Sequence, residues 1–135
     1  MKPPPDVQFH EDLRLLVWRP RGVINEAAVN KIIAFLGKLE GSSDKPFNRF
    51  TDALAADSVE LNFRFIFHVS LFRRLSYAGR PPVKSAILAQ DESMARYAKM
   101  HELVTQGSPL RVRVFEDRGE VAKWLGVPVE ALTSS

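Results

Sequence analysis

The stretch from Val83 to Leu125 constrains the fold more than any other, because it carries two strand-then-helix units with their boundaries written in. Val83-Lys84-Ser85-Ala86-Ile87-Leu88 is a short apolar run, and Gln90-Asp91-Glu92-Ser93 opens a helical pattern that Gly107 closes. Leu110-Arg111-Val112-Arg113-Val114-Phe115 alternates strictly, and Asp117 to Glu120 opens a last helix that ends at Trp124-Leu125-Gly126. Strands alternating with helical patterns mean βα units on a largely parallel sheet. Asp117 and Glu120 make a D-x-x-E variant of the capping box, and Trp124 and Leu125 are expected to be buried under the final strand.

The N-terminal half extends the same plan. Val7-Gln8-Phe9-His10 and Leu13 to Pro20 flank Glu11-Asp12 as a hairpin, with apolar bulk on both faces of the second strand: Leu13, Leu15 and Val17 on one, Leu16 and Trp18 on the other. Pro20 stops pairing and Gly22 lets the chain turn. Asn25 is a good N-cap, and Ile24, Ala28, Val29, Ile32, Ile33, Leu36 and Leu39 follow at helical spacing until Gly41. Gly41 to Pro46 is a loop by composition, and Phe47 to Leu54 reads as the next strand.

Phe63 to Tyr77 fits two periods. Leu61, Phe63, Phe65, Phe67, Val69 and Leu71 alternate as in a strand, yet Phe63/Ile66/Phe67/Leu71 and Phe65/Val69/Phe72 also descend two sides of a helix. Asn62 to Gly79 is too long for one strand, and Arg73-Arg74 suits a helix C-terminus, so the segment is assigned as a helix. Apolar on nearly every side, it must be covered twice or form an interface. The expected architecture is a single α/β domain over residues 7–132, between a disordered lead (1–6) and a frayed tail (133–135). Five strands are expected, the first antiparallel to the second and the rest parallel, with helices near 25–40, 62–77, 91–106 and 117–125.

Composition narrows the function classes. Hydrophobic residues make up 45% and charged residues 26%, which is ordinary for a globular domain. No long apolar run marks a membrane span and no charged-then-apolar start marks a signal peptide. Zero cysteines remove disulfides and thiolate chemistry, and a cytoplasmic location is expected. The net charge of +3, from 19 basic and 16 acidic residues, is too mild and dispersed to imply nucleic acid.

The order of these features resembles the SpoIIAA-like bacterial family, a small relative of STAS domains. The residues that carry the likeness are the Arg19 to Gly22 turn, the Phe47-Asn48-Arg49-Phe50-Thr51-Asp52 strand, the arginine-ended helix, and Val112-Arg113-Val114-Phe115 with Ala122, Trp124 and Leu125. The likeness runs from about Val7 to Gly126 and implies successive βα units behind an N-terminal antiparallel strand. Relatives of that family include anti-sigma factor antagonists, which dock onto a kinase and are switched by phosphorylation of a serine in an Asp-Ser-Ser-Gly motif. Here the nearest match is Asp57-Ser58-Val59-Glu60, so Ser58 is the candidate phosphoacceptor, but the second serine and the glycine are missing and a loop serine or local cap is the simpler reading.

The remaining candidates are few. Ligands of open parallel sheets bind beyond the carboxyl ends of the strands, where Arg21, Asp52, Asp57 and Asp91 are expected to form a rim together with Gly22, Gln90, Glu116 and Asp117. Asp91 and Asp117 are already explained as caps, so no metal and no cofactor is expected. His10, His68 and His101 lack ligand spacing; His68 and His101 read as hydrogen-bonded core or interface residues. Arg64, Arg73, Arg74 and Arg80 read as a solvated helix edge. With no nucleophile elbow, phosphate loop or paired acid and base, an enzyme ranks third. The leading expectation is a non-enzymatic interaction or regulatory module, a homodimer joined through Phe65, Val69 and Phe72, with another regulatory protein as a further partner. The alternative is a carrier for a small apolar, lipid-like ligand.

Overall fold

The computed structural model describes residues 2–133, so Met1 of the expected lead and Ser134 and Ser135 of the expected tail lie outside the described residues. In chain order the elements are β1 (Val7–His10), β2 (Leu15–Trp18), β3 (Gly22–Asn25), α1 (Glu26–Ser42), β4 (Asn48–Asp52), β5 (Ala56–Glu60), α2 (Phe63–Ser76), β6 (Val83–Leu88), α3 (Glu92–Thr105), β7 (Leu110–Phe115) and α4 (Arg118–Leu125). Short 3-10 turns occupy Ala53–Ala55 and Val129–Leu132.

The five-stranded sheet runs β1-β2-β4-β6-β7, with β1 antiparallel to β2 and the other pairings parallel, as the sequence pattern requires. Every main helix begins where a capping side chain was legible. Asn25 accepts from the Ala28 amide, Asn62 from Phe65, Asp91 from Met94 and Asp117 from Glu120, all within 2.8–2.9 Å. Each such cap contributes about 1 kcal/mol. The ambiguous segment is helical over Phe63–Ser76, and α2 packs along α3. Gly41 does not end α1, which runs one residue further to Ser42.

Two strands depart from the expected layout, β3 and β5. They form a separate two-stranded parallel ribbon. The neighbours β2 and β4 each break, at Arg19-Pro20-Arg21 and at the Ala53–Ala55 turn, and their continuations pair again as β3 and β5. Pro20 has no N–H to continue the main ladder, and Gly22 turns the chain at a φ of +72°. Ile24, expected on the stripe of α1, is therefore a buried residue of β3, and Ser58 lies in a strand and not in a loop.

Both faces of the sheet are covered. Leu15, Val17, Phe50, Ala86 and Leu88 pack with Val121 and Leu125 of α4. On the opposite face Leu16 and Trp18 meet Ile32 and Leu36 of α1, while Ile87 meets Met94 and Ala98 of α3. Leu125 is buried as expected, but Trp124 is only half-buried. Its indole lies 5.5 Å from the ring of Phe115, with the Lys84 ammonium 5.4 Å from its centre, so it closes the edge of this core and does not fill it.

Candidate functional site

The helix-covered face that holds α1, α2 and α3 is not filled. A cavity of about 100 Å³ lies between the sheet and these three helices. Its wall is mostly apolar, with Leu16, Ile32, Leu61, Ile66, Met94 and Tyr97 among the lining side chains. Strand alternation sends Arg49 and Thr51 of β4 and Ser85 of β6 into the same space, and α2 and α3 add Arg73 and His101. A second, larger cleft of about 430 Å³, lined by residues of α1 and α2 with Tyr77 and Arg80, shares Ile33, Leu36 and Arg73 with the cavity. Arg73 therefore stands at the junction of the two.

The polar groups here are connected and almost fully buried. Arg73 is 8% exposed and His101 8%, while Ser70 is sealed. Arg73 Nη1 lies 3.0 Å from His101 Nε2, and Ser70 Oγ lies 2.6 Å from His101 Nδ1. A guanidinium can only donate, so Nε2 is the acceptor, the imidazole is neutral, and its proton sits on Nδ1 facing Ser70. Burial, reinforced by the neighbouring Arg73 charge, lowers the His101 pKa to about 3. Arg73 itself is pushed below its usual value, chiefly by loss of solvent, with Arg49 adding to the depression against the opposing pull of Tyr77.

Negative charge is scarce in this cluster. Arg49 Nη2 pairs with Glu40 Oε2 at 2.9 Å and Arg49 Nη1 donates to the Tyr77 hydroxyl at 2.7 Å. That hydroxyl donates to the same Glu40 oxygen, and Arg80 approaches the other Glu40 oxygen at 3.6 Å. Among the described residues Arg73 has no carboxylate partner, and its Nη2 has no hydrogen-bond partner at all. Arg73 was expected on a solvated helix edge; the structure corrects this, although Arg64, Arg74 and Arg80 are exposed. The inward face of α2 is thus Ile66, Ser70 and Arg73, a partly polar stripe that periodicity of apolar residues could not reveal.

The strand-end rim has a different character. Asp52 is 4% exposed, accepts from the Leu54 amide at 3.1 Å and from Arg118 Nη2 at 2.8 Å, and lies 3.4 Å from Arg19 Nε. It is a clasp between β2, β4 and α4. Asp91 is spent on capping α3, Arg21 is exposed, and Asp57 and Ser58 are exposed on β5. Asp57, Ser58 and Asp91 line one small cleft of about 100 Å³ with Gln90. Among the described residues no group of three metal-binding side chains comes together.

The outer side of α2 exposes large apolar side chains together with Arg64, His68 and Arg74. Phe63 (47% exposed), Phe67 (44%), Leu71 (39%), Phe72 (59%) and Leu75 (68%) stand in solvent. Of the trio expected at an interface, Phe72 belongs to this set, whereas Phe65 and Val69 are half-buried and Val69 lines the cavity. His68 is exposed, and His10 is half-buried. Arg49, Arg73 and Tyr77 went unremarked as a set in the sequence. The available signal was an arginine inside a strand buried on both faces, Arg49 beside Phe50.

Among the described residues no helix is long and apolar enough to cross a membrane. No family model matches the sequence, and no curated protein matches it. A solved structure does match in shape: an uncharacterized protein of the DUF3478 family with a SpoIIAA-like fold, from Shewanella loihica PV-4. The superposition has a TM-score of 0.53 at 15% sequence identity and covers 88% of this chain and 89% of that one. Together with the order β1-β2-β4-β6-β7, this gives the chain a SpoIIAA-like α/β fold.

Proposed function

We propose that this protein is a non-enzymatic interaction module that works as a homodimer, joined through the outer face of α2. The observation that carries the reading is the run Phe63, Phe67, Leu71, Phe72 and Leu75, all more than a third exposed on one helix. Five large apolar side chains exposed along one helix are uncommon on a monomer, and exposed apolar surface of this kind usually marks an interface. Two-fold pairing of α2 with its copy would bury the same side chains twice and leave no open aromatic edge. The exposed Arg64 and Arg74 beside it would supply the polar rim that interfaces generally have. A second regulatory protein is the alternative occupant of this face, and the cysteine-free sequence fits a cytoplasmic setting.

Sedimentation at micromolar concentration tests the reading. A dimer that Phe67→Glu or Phe72→Glu splits, with the circular dichroism unchanged, is the expected result. A strict monomer across the concentration range would refute it.

A second reading, a carrier for a small apolar ligand, is favoured by the cavity beneath α1, α2 and α3 and by its continuation into the cleft between α1 and α2. The two readings use different faces of α2 and share Phe72, which lines the cleft as well as standing in the exposed apolar set.

A further inference from the structure

The cavity is apolar in its wall and cationic at its mouth, and those two properties together specify a class of ligand. From the buried Arg73 Nη2 that lacks a hydrogen-bond partner, the position of Arg73 where cavity and cleft meet, and the apolar lining beyond it, we infer that the site binds a single-tailed carboxylate, an apolar chain with one anionic head. The tail lies among Ile32, Leu61, Ile66 and Met94, and the carboxylate meets Arg73 Nη2. This inference rests on the carrier reading and makes it chemically definite.

Charge sets the choice of head group. Glu40 is the carboxylate of this cluster; it pairs with Arg49 and Arg80 and accepts from Tyr77, and makes no ion pair with Arg73. His101 adds no charge, because its Nε2 accepts from Arg73. A buried guanidinium without a counter-ion is strongly disfavoured, and an incoming carboxylate removes that penalty while giving charge-assisted hydrogen bonds. A cationic or neutral head would leave the penalty in place. The Ser70–His101–Arg73 chain holds the fork in position from the α3 side, so the free Nη2 is presented without loss of side-chain entropy on binding. Size limits the tail: a cavity of about 100 Å³ accepts a short chain, with the carboxylate end at the junction with the cleft of about 430 Å³.

Titration calorimetry with octanoate and with 1-octanol separates the elements of the claim. Octanoate should bind the protein about tenfold more tightly than 1-octanol, as expected for a charge-assisted contact to a buried arginine. Arg73→Met should abolish that preference while leaving 1-octanol binding within about twofold. Arg73→Lys, which keeps a charge but loses the fork, should restore part of it and serves if the Met variant fails to fold. Equal binding of the two probes by the native protein would overturn the carboxylate assignment while the carrier reading stood. Binding of neither probe would overturn both.

Discussion

Arginine is buried in two regions of this molecule, and the two are handled differently. At the strand-end rim, Arg19 and Arg118 converge on Asp52, and Arg19 also donates to the Leu132 carbonyl. In the cavity, Arg49 is paired with Glu40, whereas Arg73 donates to a neutral imidazole and lies 5.9 Å from the centre of the Tyr77 ring. Both regions sit against the same β4 strand, Asp52 at its end and Arg49 near its start. The rim ties three elements together and has little left to offer a ligand. The cavity carries a desolvated cation that, among the described residues, has no carboxylate of its own in contact, since Glu40 is taken by Arg49, Tyr77 and Arg80.

The sharpest way to break this comparison is to remove one partner in each region. Asp52→Ala leaves Arg19 and Arg118 beside an empty position and should cost about 3–5 kcal/mol in urea denaturation. Arg73→Met removes a charge that has no counter-ion. It forfeits the hydrogen bond to His101 but also the desolvation penalty, so the change should stay within about 1 kcal/mol of zero. If Arg73→Met proves as costly as Asp52→Ala, Arg73 is a structural tie and the contrast collapses.

Acid sharpens the same contrast from the cavity side. The His101 pKa is near 3 in the folded chain, below its ordinary value of 6.5, so the folded state binds fewer protons than the unfolded state between those values. The contribution of neutral His101 is fully present above pH 6.5 and is lost as pH falls toward about 3. The slope is about 1.4 kcal/mol per pH unit for one group. His101→Gln keeps an acceptor for Arg73 but cannot titrate. Denaturation series on the two proteins should converge as pH falls through this window. Parallel curves would mean that His101 is already charged and that Arg73 is held by something else.

How much of this could be seen in the chain follows from which forces leave a mark on sequence. Caps do: Asn25, Asn62, Asp91 and Asp117 sit one residue before the helices they start. The hairpin, the three parallel strands and the helical nature of α2 were legible because apolar periodicity and length decide them. The β3–β5 ribbon was not, since Gly22–Asn25 and Ala56–Glu60 are short, partly exposed and defined only by pairing with each other. The cavity was hidden for a related reason. Arg73 looks like a helix-terminal cation, and Arg49 of the interior strand β4 is turned to the same face by strand alternation; only the packing of the helices over that face encloses the two together. The sequence also pointed to Asp52 as a ligand-facing rim residue, whereas Arg118 from another element claims it.

The smallest expected effect falls on the rim. Ser58→Asp places a negative charge on β5, as phosphorylation would, and should change stability by less than about 0.5 kcal/mol and leave the sedimentation behaviour unaltered. Ser58 is exposed and pairs with Val23 in the ribbon, so the added carboxylate stays hydrated. It cannot act on the start of α2, because Asn62 already caps that helix and Ser58 lies a full turn upstream. Arg19 and Arg118 are both turned to Asp52. Its neighbours in the shared cleft, Asp57 and Asp91, oppose it only through solvent. A loss above about 1 kcal/mol, or a dimer dissociated by this change alone, would mean that the β3–β5 ribbon is coupled to the α2 face, and the rim would then be the switch and not the clasp.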